Sequence, residues 1–259
     1  MIPLVTPIGL PSTTVAGSIG SSTRATLESP ASTARSRSAS SGRLPKLFVS
    51  QPLQPLLDGV WNSGLSVGAM LALGDTGLGT FCNFQGGEMV IWGGRIFSIP
   101  QPRGARIISD PGTQTPFCMV TRFTEETGHS FQSLDPIETY HELQEIVGSH
   151  CLDEDPDRHY AVKIYANCRS LSVQCVQPPQ EGENRFAAVG QSCETLEDVR
   201  AILVGFQIGS GLDPRIHPPG FHFHAITDNQ ASGGHVLELS LRRAVIHVQE
   251  VGGVKVLRS

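Results

Sequence analysis

A β-rich α+β fold, with mainly antiparallel or mixed sheets and one or two helices, is what this 259-residue sequence predicts. Three observations carry that expectation. Short runs of β-branched and aromatic residues recur along the chain, punctuated by Gly86-Gly87, Gly93-Gly94 and Pro111-Gly112. Strong helical spacing of apolar residues occurs once, over Asp135–Val147. The links between successive runs are too short for repeated helical crossovers, so neighbouring strands must pair antiparallel.

The elements follow in order. Residues 1–46 are rich in Ser, Thr, Ala and Pro, carry Arg24, Arg35, Arg37, Arg43 and Lys46, and contain a single acid, Glu28. Such a segment cannot build a core, so a disordered low-complexity tail is expected, and its basic, acid-poor bias also fits an organelle transit segment. Residues 47–259 have globular composition and form the expected domain. Leu65, Met70, Leu71 and Leu73 suit a short helix that ends at Gly74. Gly74-Asp-Thr-Gly77-Leu-Gly79 lacks a Walker lysine and a strong following helix, so it reads as a glycine-built turn rather than a phosphate loop. Strands are expected at 79–83, 88–92, 95–99 and 117–123. The helix over 135–147 takes Asp135 as N-cap, Pro136 in its first turn and Gly148 as stop, with Ile137, Tyr140, Leu143, Ile146 and Val147 on its apolar face. Further strands are expected at 160–165, 170–176, 199–208, 221–227, 235–241 and 244–249.

Bulk properties remove several functions. A net charge of -5 and a pI near 6.0 offer no basic stripe for nucleic acid. The longest weakly polar stretch, Gly64–Gly74, is too short to span a bilayer, and no basic n-region precedes a long apolar run as a secretory signal requires. A cytoplasmic setting is therefore expected, with organelle targeting by residues 1–46 as the alternative. Six cysteines without Cys-x-x-Cys spacing are expected to be mostly reduced, Cys168 and Cys175 among them as small buried hydrophobes.

The chemistry concentrates in Pro219-Gly-Phe-His222-Phe-His224 and Gly233-Gly-His235. In an extended strand, His222 and His224 project from one face. Between them and His235, Asp228, Asn229, Ser232, Gly233 and Gly234 can turn the chain back into a second strand, bringing a third imidazole alongside. Three neutral nitrogen ligands around an open position suit catalytic zinc. Alternating histidines that are half-buried and bonded to backbone carbonyls are the plainer explanation of the same spacing.

With those residues in place, the chain resembles the acetolactate decarboxylases. The similarity runs from about Leu57 to Val256 and rests on six ordered blocks: Gly74-Asp-Thr-Gly-Leu-Gly-Thr-Phe, Gly87-Glu-Met-Val-Ile, Gln114-Thr-Pro-Phe, Val204-Gly-Phe, Pro219-Gly-Phe-His-Phe-His and Gly233-Gly-His-Val-Leu. The resemblance implies a zinc ion held by His222, His224 and His235, a metal-site glutamate at Glu88, a pocket-lining threonine at Thr80, and an α+β domain that is commonly a homodimer. It also implies the reaction, decarboxylation of 2-acetolactate to acetoin, in which a Lewis acid bound through hydroxyl and ketone oxygens draws off the electrons released with carbon dioxide. Without the family, Glu88 reads as a strand-end surface carboxylate.

Two positions depart from the family pattern. Gln174 stands where the family carries an arginine, so bidentate charge pairing with a substrate carboxylate is lost. Arg169 is offset by five and faces the other way on a regular strand, unless a bulge restores it; Arg122 and Lys163 read as solvated surface charges. The family also continues past the point matching Ser259 into a segment with another glutamate, for which Glu238 and Glu250 are the stand-ins, Glu238 pointing away from His235 on a flat strand. The expected partner is accordingly a small 2-hydroxy-3-keto acid: acetolactate itself or a related acid, with a zinc-binding scaffold of impaired catalysis as the third option.

Overall fold

A computed structural model describes residues 44–258 apart from 101–103, 125–127 and 152–154. The tail assigned to residues 1–46 falls, up to residue 43, outside the described residues. The elements are β1 (Leu47–Val49), α1 (Leu53–Leu57), β2 (Leu65–Ser66), α2 (Val67–Leu71), β3 (Thr76–Thr80), β4 (Glu88–Trp92), β5 (Arg95–Ile99), β6 (Arg106–Ile107), β7 (Gln114–Thr115), β8 (Cys118–Thr121), β9 (His129–Gln132), α3 (Tyr140–Cys151), β10 (His159–Val176), β11 (Gln191–Ile208), β12 (Gly220–Thr227), β13 (Gly233–Val251) and β14 (Val254–Val256). The expected β-rich α+β fold is what forms. No helix among the described residues is long and apolar enough to cross a membrane.

Two sheets carry the architecture. The first runs β14-β1-β8-β3-β4-β5-β6, antiparallel except where β1 and β14 pair in parallel. In the second, β10 pairs with both β11 and β13 while β12 joins those two, so the four strands form a ring with β9 attached to β13. One face of this ring packs α3 over a core containing Leu143, Val147, Ile164, Phe223, Ala225 and Leu239. The other face meets the first sheet through apolar side chains such as Val90, Ile99, Val204 and Ile226. Alternation along β12 therefore sends Phe223 and Ala225 into the α3 core and His222 and His224 toward β4.

Several expected boundaries move, each for a visible reason. The runs at 160–165 and 170–176 join into β10, and those at 235–241 and 244–249 join into β13. Their polar interruptions are bulges, with register shifts around Asn167–Ser170 and at Ser172/Val173, which bend a strand without ending it. Most of the glycine run is not a turn but part of β3, which begins three residues before the strand expected at 79–83. Cβ atoms at Gly77 and Gly79 would lie 2.1 and 2.3 Å from the Met119 and Phe117 carbonyl oxygens in and just before β8, so glycine permits that approach. Leu65–Ser66 pairs with β7, and Ser66 caps the shortened α2 by accepting from the Ala69 N–H. α3 starts five residues later than expected because Ile137 exchanges backbone bonds with Leu241; Thr139 caps it in place of Asp135, and the helix passes through Gly148. Glu142 completes the cap by accepting from the Glu138 N–H.

Gly205 of β11 faces β12, where a Cβ would sit 2.2 Å from Cδ1 of Phe223 and 2.4 Å from the His222 carbonyl oxygen. Gly205→Ala is expected to push β12 away and cost about 1–3 kcal/mol of stability, as overpacking does, with a matching shift in the urea midpoint.

Candidate metal centre

The β12–β13 hairpin builds the centre. Its turn is tied by the Gln230 N–H to the Thr227 carbonyl (2.9 Å), by the Ala231 N–H to Oδ1 of Asn229 (3.0 Å), and by Gln230 in a left-handed conformation at φ 55°. That turn sets the register in which His224 lies directly opposite His235. His222 joins them from the same face of β12, and the ring centroids stand 4.9 Å (His222–His235), 5.0 Å (His222–His224) and 5.4 Å (His224–His235) apart. One nitrogen from each of the three falls within 4.8 Å of the other two, close enough to hold one metal ion. The sequence expectation that these three imidazoles converge is matched by the geometry.

His224 is buried, and its Nδ1 lies 2.9 Å from the carbonyl oxygen of Met89 on β4. A carbonyl can only accept, so Nδ1 carries the proton and the Nε2 lone pair faces the other rings. Nε2 of His222 stands 3.2 Å from it. Burial holds His224 neutral down to about pH 3, with the neighbouring His235 adding to the effect. Burial likewise lowers His235 to about 4 and depresses His222 well below the ordinary histidine range, where His235, His224 and His217 reinforce it. All three rings are therefore neutral at physiological pH, the state in which imidazole ligates metal.

Glu88 begins β4 and is 5% exposed, not the surface carboxylate its place in the sequence suggests. Its Oε2 lies 3.7 Å from His224 Nε2, and its Oε1 accepts from the Val176 N–H at 3.3 Å. Burial raises its carboxyl to about 8, against a small opposing pull from that N–H. With Glu88 protonated and His224 neutral around pH 7, the contact is not an ion pair. A buried carboxyl beside three neutral imidazoles is a donor set that fits a divalent cation, whose charge would favour the ionised form of Glu88. Thr80 stands opposite Glu88 in the β3–β4 ladder; its hydroxyl donates to the Gly87 carbonyl at 2.8 Å.

Gln174 of β10 is the direct cross-strand neighbour of His235. Its side-chain amide donates to Oε1 of Gln191, and its oxygen lies 4.0 Å from Sγ of Cys193. A cavity of about 470 Å³, lined in part by Ile99, Gln177, Cys193, Glu194 and Ser232, opens beside this strand and contains none of the three imidazoles.

The remaining expected stand-ins lie elsewhere. Arg169 bonds Glu138 at 2.6 Å on the exposed surface, so the bulge beside it does not turn it toward the histidines. Glu238 accepts from the Tyr140 N–H at the start of α3, and Glu250 pairs with Arg158 at 3.2 Å. Arg122 is exposed as expected. Lys163 corrects the expectation: it is buried, with Nζ 4.2 Å from the centroid of the Phe123 ring. Cys82, Cys118, Cys168, Cys175 and Cys193 form no disulfide, and Cys168 and Cys175 are buried. One residue escaped the sequence reading altogether. His217, in the loop before β12, is buried with Nε2 2.9 Å from Nδ1 of His222.

Comparison with known proteins shows the family and the fold. The alpha-acetolactate decarboxylase of Methanosarcina mazei is 32% identical over 200 residues, covering 76% of this chain and 66% of that protein. The alpha-acetolactate decarboxylase of Methylococcus capsulatus is 28% identical over 205 residues, covering 78% and 76%. In fold, the chain matches the crystal structure of alpha-acetolactate decarboxylase from Bacillus subtilis strain 168 with a TM-score of 0.75 at 22% identity, over 82% of this chain and 88% of that one. The family profile described as alpha-acetolactate decarboxylase spans residues 47–257, taking in both sheets and every residue of the histidine cluster, and the chain belongs to that family.

Proposed function

We propose that the protein is a zinc-dependent decarboxylase that converts 2-acetolactate to acetoin and carbon dioxide. The observation that carries this reading is the convergence of His222, His224 and His235 beside the buried carboxyl of Glu88. His222, His224 and His235 would hold the ion, which would supply a Lewis acid to stabilise the negative charge that develops as carbon dioxide leaves. The chain's own groups do the rest. The bond from C2 to the carboxyl carbon breaks, its electron pair passes toward the ketone, and a proton must return to carbon; Glu88 is the buried group placed to hold and deliver it. Met89 keeps the His224 ring aimed. Elemental analysis of the purified full chain, paired with an acetoin assay on 2-acetolactate, tests the reading: about one zinc per chain with turnover is expected, and zinc-free protein that stays inert when zinc is added defeats it.

Gln174 favours a second reading, a related enzyme for another 2-hydroxy-3-keto acid or a zinc scaffold of impaired catalysis. Its amide is already engaged with Gln191 and brings no charge to a carboxylate. Gln174→Arg is expected to lower KM for 2-acetolactate about tenfold or more, since a hydrogen bond to a charged group contributes roughly 1.5–3 kcal/mol. Unchanged steady-state kinetics in that variant, together with faster turnover of another 2-hydroxy-3-keto acid by the wild type, would turn the choice toward the second reading.

A further inference from the structure

The loop ahead of β12 places a fourth histidine behind the cluster. Nδ1 of His217 lies 2.7 Å from the carbonyl oxygen of Pro218, and its Nε2 lies 2.9 Å from Nδ1 of His222. The ring is 4% exposed; it lies near-parallel to Phe117 (centroids 6.3 Å apart, 22° between planes) and meets His222 edge to edge, nearly coplanar with it (5.2 Å, 26°). Water does not compete for either nitrogen at that burial.

The hydrogen-bond directions follow from one carbonyl. Pro218 oxygen can only accept, so the single N–H of a neutral His217 must sit on Nδ1. Its Nε2 is then a bare acceptor, and the proton in the next contact must come from Nδ1 of His222. That leaves Nε2 of His222 without a proton, facing the equally bare Nε2 of His224 fixed by the Met89 carbonyl. Two lone pairs 3.2 Å apart with no hydrogen between them repel each other unless a cation lies between. The opposite assignment would leave a lone pair of His217 against the lone pairs of the Pro218 oxygen.

We propose that His217 is a positioning residue: it relays the direction of the Pro218 carbonyl to His222 and so locks that ring in the tautomer whose Nε2 is free to ligate. The relay deepens the zinc reading above and rests on it for its purpose, but the tautomer itself is a property of the metal-free chain. It reproduces with a second imidazole what a carbonyl does directly for His224, because the His222 ring has Nδ1 turned toward the loop rather than toward β4.

The test reads both quantities in the full-length protein. Long-range proton–nitrogen spectra of uniformly ¹⁵N-labelled, metal-free protein should show His222 protonated at Nδ1 and His217 protonated at Nδ1. His217→Phe keeps a ring against Phe117 but removes the acceptor, and is expected to leave His222 in mixed tautomers and weaken zinc binding about 10- to 100-fold in competition with a chelator, as loss of a ligand-orienting partner does. His217→Gln, whose side-chain oxygen can accept the same proton, should recover most of that loss. A wild-type His222 protonated at Nε2 overturns the relay, as does His217→Phe with unchanged tautomers and unchanged zinc affinity. Wild-type protein that shows the predicted tautomers yet takes up no zinc would support the relay and defeat the zinc reading. If His217→Phe fails to fold, the wild-type spectra and the His217→Gln variant still decide the matter.

Discussion

On the proposed zinc chemistry, His224→Ala is expected to abolish metal binding and with it nearly all activity. The ring sits at the centre of the cluster, opposite His235, beside His222 and within 3.7 Å of Glu88, and is 3% exposed. Alanine leaves two imidazoles, too few to complete a three-ligand zinc site, and strands the Met89 carbonyl without its partner. Loss of a Lewis-acid contribution of several kilocalories per mole corresponds to a rate fall of about 10³-fold or more, each 1.36 kcal/mol being about tenfold. Thermal unfolding gives a readout independent of turnover. Zinc at about a hundredfold excess over its Kd should stabilise the wild type by about 2.7 kcal/mol and leave the variant unmoved. A variant that retains stoichiometric zinc would mean the ion is held elsewhere.

Glu88→Gln should separate chemistry from metal binding. The amide keeps the shape of a side chain that is 5% exposed but cannot give up or take a proton, so kcat is expected to fall about 10²- to 10⁴-fold while zinc content stays close to wild type. Loss of zinc in this variant would instead make the carboxylate an indispensable ligand. The same substitution carries a signature in the metal-free protein. Folding raises the Glu88 carboxyl from 4.5 to about 8, so above pH 4.5 the native state holds a proton that the unfolded chain has released. Wild-type stability from this group therefore declines as pH rises from about 4.5 to about 8 and levels off beyond, whereas the glutamine variant lacks that decline. Urea midpoints across this range compare the two directly.

The parts of this structure that were readable from sequence are those governed by short-range periodicity. Alternation placed His222 and His224 on one face, and the polar residues from Asp228 to Ser232 supplied the turn that sets His235 opposite His224. Apolar spacing found the buried face of α3, with Leu143 and Val147 in the core. What escaped depends on tertiary pairing. The strand boundaries failed where bulges carry β10 and β13 through polar residues, and β3 was hidden because its glycines serve the close approach of β8 rather than a turn. Glu88 drew notice through the family resemblance alone, since burial between sheets leaves no local mark. His217 lies an odd five residues before His222, on the wrong side by strand parity, and reaches the cluster because the chain is not yet a strand there. Lys163 looked like a surface charge until the Phe123 ring came to lie over it.

The parallel pairing of Leu47, Phe48 and Val49 with Val254, Lys255 and Val256 also has a consequence for the whole domain. The earliest and latest segments of the fold are fastened to each other, and the Leu257 and Arg258 N–H groups extend the seam to the Val49 and Ser50 carbonyls. β14 has β1 as its neighbour in the sheet, so lifting β1, which also pairs with β8, would release the closing segment as well. The homologous segment, residues 47–257, begins and finishes at this clasp.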